Sequence, residues 1–360
     1  MDKFLVISCD GGGIRGVIPA LLLQDLTQEV LDNVNLYAGT STGSVIALSL
    51  AGGVPIDQVV DYYQDPEICA GFFSPYEHQV ESEEMHQGIK KLLEAAAKKV
   101  ESKLDETAIG KLVSSLLYPQ YSNEGRLQVL KTMLPSGTVA DLLESHGKFA
   151  LAATFELNVT VSGQRTWMPT VISNLPENNR LEGISLVDAA MCSTSAPLGY
   201  AAWQLDNGVY YADGAVYANN PSAVALATLS NSGVLGPRGL ERVFLLSLGT
   251  GFNFGSYPIE EGLPGEYPWG MLGWLWPHET EYVEKFPLIS AYSAGSLQSA
   301  DLVSRELLGR DRFRRGNVDL SQSISFSACD KVSLMTELTQ EYMATDEWRE
   351  IKGWVAENFV

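Results

Sequence analysis

Two short stretches carry the residue types that nucleophilic catalysis needs. The first, GTSTG at 39–43, spells G-x-S-x-G, with the run NVNLYAG leading into it and SVIALSLAGG following. A strand that turns tightly into a helix at such a string holds its serine, here Ser41, in strained backbone angles that glycine neighbours tolerate. It also lifts the hydroxyl clear of the sheet at a helix N-terminus, where negative charge is favoured. A helix-capping serine in a tight glycine turn is the plainer reading of the same residues. The second stretch, DGGGIRG at 10–16, offers bare backbone amides after the apolar run FLVIS. It fits two chemistries. Gly11, Gly13 and Gly16 spell G-x-G-x-x-G, the turn that holds a dinucleotide pyrophosphate, while a row of amides also suits a transient oxyanion.

A serine nucleophile needs a base. Of His78, His86, His146 and His278, only His278 comes late enough for the order serine, acid, histidine, and it sits in GWLWPHETEY beside a proline, with no strand before it. That is the setting of a surface loop. Asp213 in GVYYADGAVYANNPS is the other candidate: a strand delivers the carboxylate and D-G turns the chain. Such a residue is expected at the C-terminal edge of the sheet, where the sites of parallel sheets gather.

These residues need a scaffold. FLVIS (4–8) reads as a buried strand, IRGVIPALLLQDLTQEVL as helical, and NVNLYAGTSTGSVIALSLAGG as strand, turn and helix. Two strand-turn-helix units in the first 55 residues predict an α/β fold with a parallel sheet. Further buried strands are expected at 149–155, 168–173, 209–213 and 243–251. Between 83 and 117, Ile89, Leu93, Ala96, Val100 and Leu104 form a helical apolar stripe. The stretch 252–281, with Tyr257, Tyr267, Trp269, Trp274 and Trp276, reads equally as a packed cover or as a contact with lipid; the residues after it read as helical.

Composition narrows the partners. With 24 basic against 44 acidic residues, a net charge of -20, the chain does not suit a nucleic-acid polymer, and a lipid surface must be met through a local patch. The basic cluster Arg305, Arg310, Arg312, Arg314 and Arg315, interleaved with acids, reads as a solvated helix face or loop rather than a headgroup site. Cys9, Cys69, Cys192 and Cys329 lack metal spacing and read as reduced thiols of a cytosolic protein. VISC (6–9) has too few residues before it for a secretory leader, so the N-V-T sequon at Asn158 has no expected use. No apolar run approaches the ~18 residues of a membrane span, which predicts a soluble or peripheral protein.

The blocks DGGGIRG, GTSTG and ADGAVYANNP, in that order, together with STSAPLGY (193–200) and SLGTG (247–251), resemble the patatin-like phospholipases, lipid acyl hydrolases with a Ser-Asp dyad. The likeness spans about residues 1–255. It implies a three-layer α/β/α fold with a mostly parallel central sheet and the nucleophile on a strand-turn-helix elbow. A catalytic core at 1–255 would carry a helical insertion at about 83–145, with 256–360 packed on the same domain. The resemblance makes Ser41 the nucleophile and Asp213 the base, with oxyanion amides from Gly11, Gly12, Gly13 and Thr42. Asp10, Arg15, Gly16, Gly39, Gly43 and Gly214 support the motifs. Asp10 reads either as a second acid or, with its side chain, as a bond to the amides of its own turn. Where the family often has D-G-G, Ala215 replaces the second glycine.

The implied reaction is hydrolysis of phospholipid carboxylic esters, of phospholipase A or lysophospholipase type, through an acyl-serine, with no cofactor and no metal. It would run at a membrane surface, in the cytoplasm or peripherally bound, and an activating small molecule or protein is compatible with it. The competing class is a Rossmann-like oxidoreductase or sensor, which expects an acid ~20 residues on at the end of the second strand. Here that strand ends in Gly39, Asp32 precedes it, and Arg15 inside the turn is unusual for such a site.

Overall fold

A computed structural model describes residues 3–77, 91, 118–253, 274 and 287–360 of the chain. At its centre β1 (Phe4–Cys9) is buried along its whole length and pairs in parallel with β2 (Leu36–Thr40) on one side. Alternate side chains serve opposite cores: Ile7 and Cys9 join one, Phe4 and Val6 the other. A strand covered on both faces reads as a near-continuous apolar run, which is why FLVIS shows no alternation and only the small buried Ser8 interrupts it. On the first face pack α1 (Val17–Gln24), α2 (Gln28–Asn33), α3 (Thr42–Ala51), α4 (Ile56–Gln64) and α5 (Pro66–Phe72). With them stand α6 (Asn123–Met133) and α7 (Asp141–His146).

The sheet continues through β3 (Phe149–Val161), which is parallel to β2 and forms an antiparallel hairpin with β4 (Gln164–Ser173). After α8 (Leu186–Ser193) come β5 (Trp203–Gln204) and β6 (Tyr210–Asp213), then the short α9 (Ala215–Ala218), α10 (Ser222–Asn231) and β7 (Val243–Leu248), parallel to β1. The long α11 (Pro287–Leu308) leads into β8 (Phe313–Gly316), and α12 (Val332–Met343) and α13 (Asp346–Phe359) close the chain. The strand order is β5-β6-β3-β2-β1-β7-β8, with β4 beside β3. Helices α10 and α11 cover the second face, completing an α/β/α sandwich whose sheet is mostly parallel, as expected.

Three expectations change. The predicted strand at 168–173 is part of a longer one, and only Ile172 and Ser173 of β4 are buried; the rest extends with β3 beyond the helical layers. The arginine cluster is a solvated face only in part: Arg305, paired with Asp301 on its helix, and Arg310 are exposed as expected, whereas Arg312, Arg314 and Arg315 are not. FRRG is the last parallel strand, its Arg315 turned inward, Arg314 set over the Trp354 ring at 5.3 Å, and Arg312 bonded to the Leu240 carbonyl. The cysteines are not all thiols: Cys69 at α5 and Cys329 before α12 form a disulfide with a Cα separation of 6.0 Å, and only Cys9 and Cys192 remain free and buried. Disulfides persist in oxidising compartments, so the cysteines no longer support a cytosolic reading. Reduction, or Cys329→Ser, is expected to lower stability by about 2–4 kcal/mol. Thermal melts with and without dithiothreitol check this; superimposable melts would deny the bond a stabilising role.

Among the described residues no helix is long and apolar enough to cross a membrane. The stripe Ile89, Leu93, Ala96, Val100 and Leu104 lies outside the described residues, as do His78, His86, His278, Tyr257, Tyr267, Trp269 and Trp276.

Candidate active site

The elbow forms because two glycines allow backbones to touch. A Cβ on Gly39 would lie 2.0 Å from the Gly43 carbonyl oxygen, and one on Gly43 would lie 2.1 Å from that of Cys9. With both absent, α3 starts directly against β1 and β2, and Ser41 is left between strand and helix at φ 53°, ψ -124°. A non-glycine residue held there is strained, and the surroundings over-determine it. Its amide donates to Ser193 Oγ at 3.0 Å, and that hydroxyl donates to the Ala153 carbonyl at 2.6 Å. Its carbonyl accepts from Ser44 Oγ at 2.6 Å.

Asp213 reaches the same level from the opposite direction. β3 runs on past its pairing with β2, and β6 returns antiparallel along the extension, so that Asp213 sits opposite Thr154 while Thr40 sits opposite Ala153. Asp213 is thus the last residue of its strand and lies at the C-terminal edge of β2, as expected, but the strand that delivers it is antiparallel to β3. Gly214 is required there, since a Cβ would meet the Ala153 carbonyl oxygen at 2.4 Å. The Asp213 amide donates to the Ser195 carbonyl at 2.9 Å, and its Oδ1 accepts from the Ala215 amide at 2.8 Å. The buried carboxyl lies close enough to the Ser41 hydroxyl for that group to act on its ionisation. Burial pushes its pKa up to about 6, against the lowering effects of Ser41, the Ala215 amide and the nearby Arg126.

The glycine loop follows β1. Gly11 donates its amide to the Asn219 carbonyl at 2.9 Å and accepts from Thr250 Oγ1 at 2.7 Å, so its amide is already engaged. The amides of Gly12, Gly13 and Thr42 have no protein acceptor among the described residues. Gly13 takes φ 59°, and a Cβ there would meet the Phe326 carbonyl oxygen at 2.2 Å. A Cβ on Gly16 would strike Thr42 Oγ1 at 2.3 Å, so this glycine lets the loop pack on the start of α3. Arg15 bonds back to the Gly12 carbonyl at 3.4 Å. Asp10 neither caps its own turn nor joins the acid. It forms a buried ion pair with Arg315 at 2.5 Å, and Arg315 also donates to Ser247 Oγ at 2.7 Å.

No histidine reaches Ser41 among the described residues. His146 packs against Gly53, beyond the far end of α3, roughly 15 Å along the helix from the elbow. Nor does β2 end in the acid that a dinucleotide site expects; it runs through Thr40 directly into Ser41.

Residues to which the sequence assigned no role complete the site: Ser193, Asn219 and Thr250 from within the motif blocks, Arg315 from the basic cluster, and Arg126. Arg126 left a sequence signal. It stands with Val129, Leu130 and Met133 at the i, i+3, i+4, i+7 positions of α6, an arginine on a buried stripe. Beside the acid's strand lies a groove of about 350 Å3 lined by Phe155, Leu157, Trp167, Pro197, Tyr200 and Val216, among other residues. Trp167 at its mouth is 71% exposed.

The sequence model of the patatin-like phospholipase family matches residues 7–226. Patatin-like protein 2 of Arabidopsis thaliana is 28% identical over 332 residues, which cover 82% of this chain and 70% of that protein. The cGAMP-activated phospholipase of Vibrio cholerae is 25% identical over 238 residues, covering 62% of this chain and 57% of its own length. The human GIVD cytosolic phospholipase A2 structure aligns over 99% of this chain and 63% of that one, at 12% identity and a TM-score of 0.36.

Proposed function

The chain belongs to the patatin-like phospholipase family, and on that premise we propose that it hydrolyses carboxylic esters of phospholipids with Ser41 as nucleophile and Asp213 as base. The observation that carries the reading is the convergence of a strained elbow serine and a buried carboxylate on one level of the sheet, both held from the strip 193–195. Ionised Asp213 takes the Ser41 proton as Oγ attacks the ester carbonyl. The amides of Gly12, Gly13 and Thr42 receive the oxyanion, since that of Gly11 is engaged. Collapse expels the alcohol, which carries away the proton held by Asp213. Water then attacks the acyl-serine, passing a proton to Asp213, and the second collapse returns it to Ser41. A carboxyl with a pKa of about 6 is a better base near neutrality than one at the ordinary ~3.9.

The apolar groove beside β6 suits an acyl chain, and exposed Trp167 suits the boundary between water and hydrocarbon. The substrate is accordingly a lipid presented at a surface that the acidic protein meets through this local patch. Defined phosphatidylcholine vesicles incubated with the protein should release free fatty acid and lysolipid, identified by mass spectrometry, with Ser41→Ala as the blank. Equal product from both proteins would overturn the dyad; the position of the released chain would separate phospholipase A1 from A2 action.

A further inference from the structure

We infer that Arg126 is a positioning residue for the reaction: one guanidinium clamps the strip 193–195 from which both Ser41 and Asp213 are held, and sets a buried positive charge within reach of the acid. The inference rests on the dyad reading above.

The strip itself is the first argument. Ser193 Oγ accepts the Ser41 amide, and the Ser195 carbonyl accepts the Asp213 amide at 2.9 Å. Between these anchors Arg126 Nη1 donates to the Thr194 carbonyl and Nη2 donates to Ser195 Oγ at 3.0 Å. Nη2 also reaches Asn123 Oδ1 at 2.8 Å, which fixes the fork to the start of α6. The nucleophile and the acid belong to different strands with no covalent connection nearby, so their separation depends on β3, which pairs with both strands, and on this strip. A rigid planar fork with several donors sets it better than a single ammonium would.

The second argument is the choice of residue. Arg126 is fully buried, and no carboxylate lies within ion-pair distance of it among the described residues. Burying an unpaired cation is unfavourable. The ring of Tyr200, 4.1 Å from the guanidinium carbon, offsets part of that cost, but Nε has no hydrogen-bond partner. A site that needed only packing would be better served by Leu or Met. The cation makes sense next to a charge that must persist in the same dry region, and Asp213 is the carboxylate whose field acts on it.

The other groups around the pair do not substitute for it. Tyr200 and Cys192 are pushed up by burial and stay neutral at working pH. Glu156, which acts on Cys192, is paired with Arg180 at 2.6 Å, and Asp188 accepts from Trp203 Nε1 and Ser185. Among the described residues Arg126 is the charged side chain that acts on Asp213.

The pH dependence of kcat and KM on a soluble ester tests this, with Arg126→Gln and Arg126→Lys beside wild type. Arg126→Gln should move the acidic limb of kcat/KM upward by about one pH unit, since an opposite charge nearby favours the ionised carboxylate. It should also lower kcat at its plateau by roughly 10–100-fold at similar KM, the consequence of a misplaced dyad. Arg126→Lys keeps the charge and loses the fork: the limb should stay at the wild-type pH while kcat still falls. A merely structural arginine predicts turnover that follows the folded fraction with an unmoved limb in both variants, and that outcome overturns the inference. If Arg126→Gln does not fold, Arg126→Lys decides alone, since wild-type kcat in it excludes the clamp. Full activity in Ser41→Ala would instead overturn the dyad reading, a distinct result.

Discussion

Asp213→Asn should lower kcat/KM for ester hydrolysis by about 10³-fold and, at the same time, make the protein more stable at pH 8. The loss follows from the base: an amide of nearly the same shape keeps the acceptor for the Ala215 amide but cannot take the Ser41 proton. The gain follows from burial. The carboxyl would ionise near 3.8 in the unfolded chain and does so at about 6 in the fold, so folding takes up a proton between those values. Stability is therefore unaffected by this group below about pH 4, declines as the pH rises through about 6, and stays lower above it. A shift of this size corresponds to roughly 2–3 kcal/mol, with the attraction to Arg126 already included in it. Melting temperatures of the two proteins should coincide near pH 4 and separate at pH 8, with the variant higher. An asparagine variant that melts lower at pH 8 would mean that the ionised acid is a net contributor to the fold.

What could be read from the sequence was what depends on neighbours along the chain. The elbow is legible because Gly39 and Gly43 answer clashes with backbone within a few residues or on the adjacent strand, and the apolar runs of β1 and β2 declare a sheet covered on both faces. The direction from which Asp213 arrives was not legible. It depends on β3 extending beyond its parallel pairing, and an apolar strand looks alike whichever way its neighbour runs. Asp10 finds Arg315 305 positions away, and Cys69 finds Cys329 260 positions away; no local spacing encodes either. β8 was hidden by its own arginines. A four-residue strand normally announces itself by apolar residues, but Arg315 is accommodated by Asp10 and Ser247, and Arg314 by the Trp354 ring. Arg126 is the intermediate case, since its place on the apolar stripe of α6 marked it as buried, though only the fold reveals what it holds.

Gly12→Ala should reduce kcat by roughly 10²–10³-fold with KM nearly unchanged, and the cause would be crowding rather than backbone strain. Gly12 has φ 169°, an extended value open to alanine. A Cβ there, however, would stand 2.4 Å from Thr250 Oγ1 and 2.7 Å from Thr250 Cβ. Thr250 cannot simply turn away, because its hydroxyl holds the Gly11 carbonyl at 2.7 Å. The loop must therefore give way by about an ångström, whereas an oxyanion donor works only within about 2.7–3.1 Å of the developing charge. Losing one such donor typically costs about 2.7–4 kcal/mol of transition-state stabilisation, and it leaves ground-state binding largely alone. The same geometry predicts a compensating change. Thr250→Gly removes every atom that the new methyl would strike, so the Gly12→Ala/Thr250→Gly double variant should turn over substrate faster than Gly12→Ala alone, despite the hydrogen bond forfeited at Gly11. A double-mutant cycle with purely additive effects would show that the two residues do not collide, and that the loss at Gly12 has another origin.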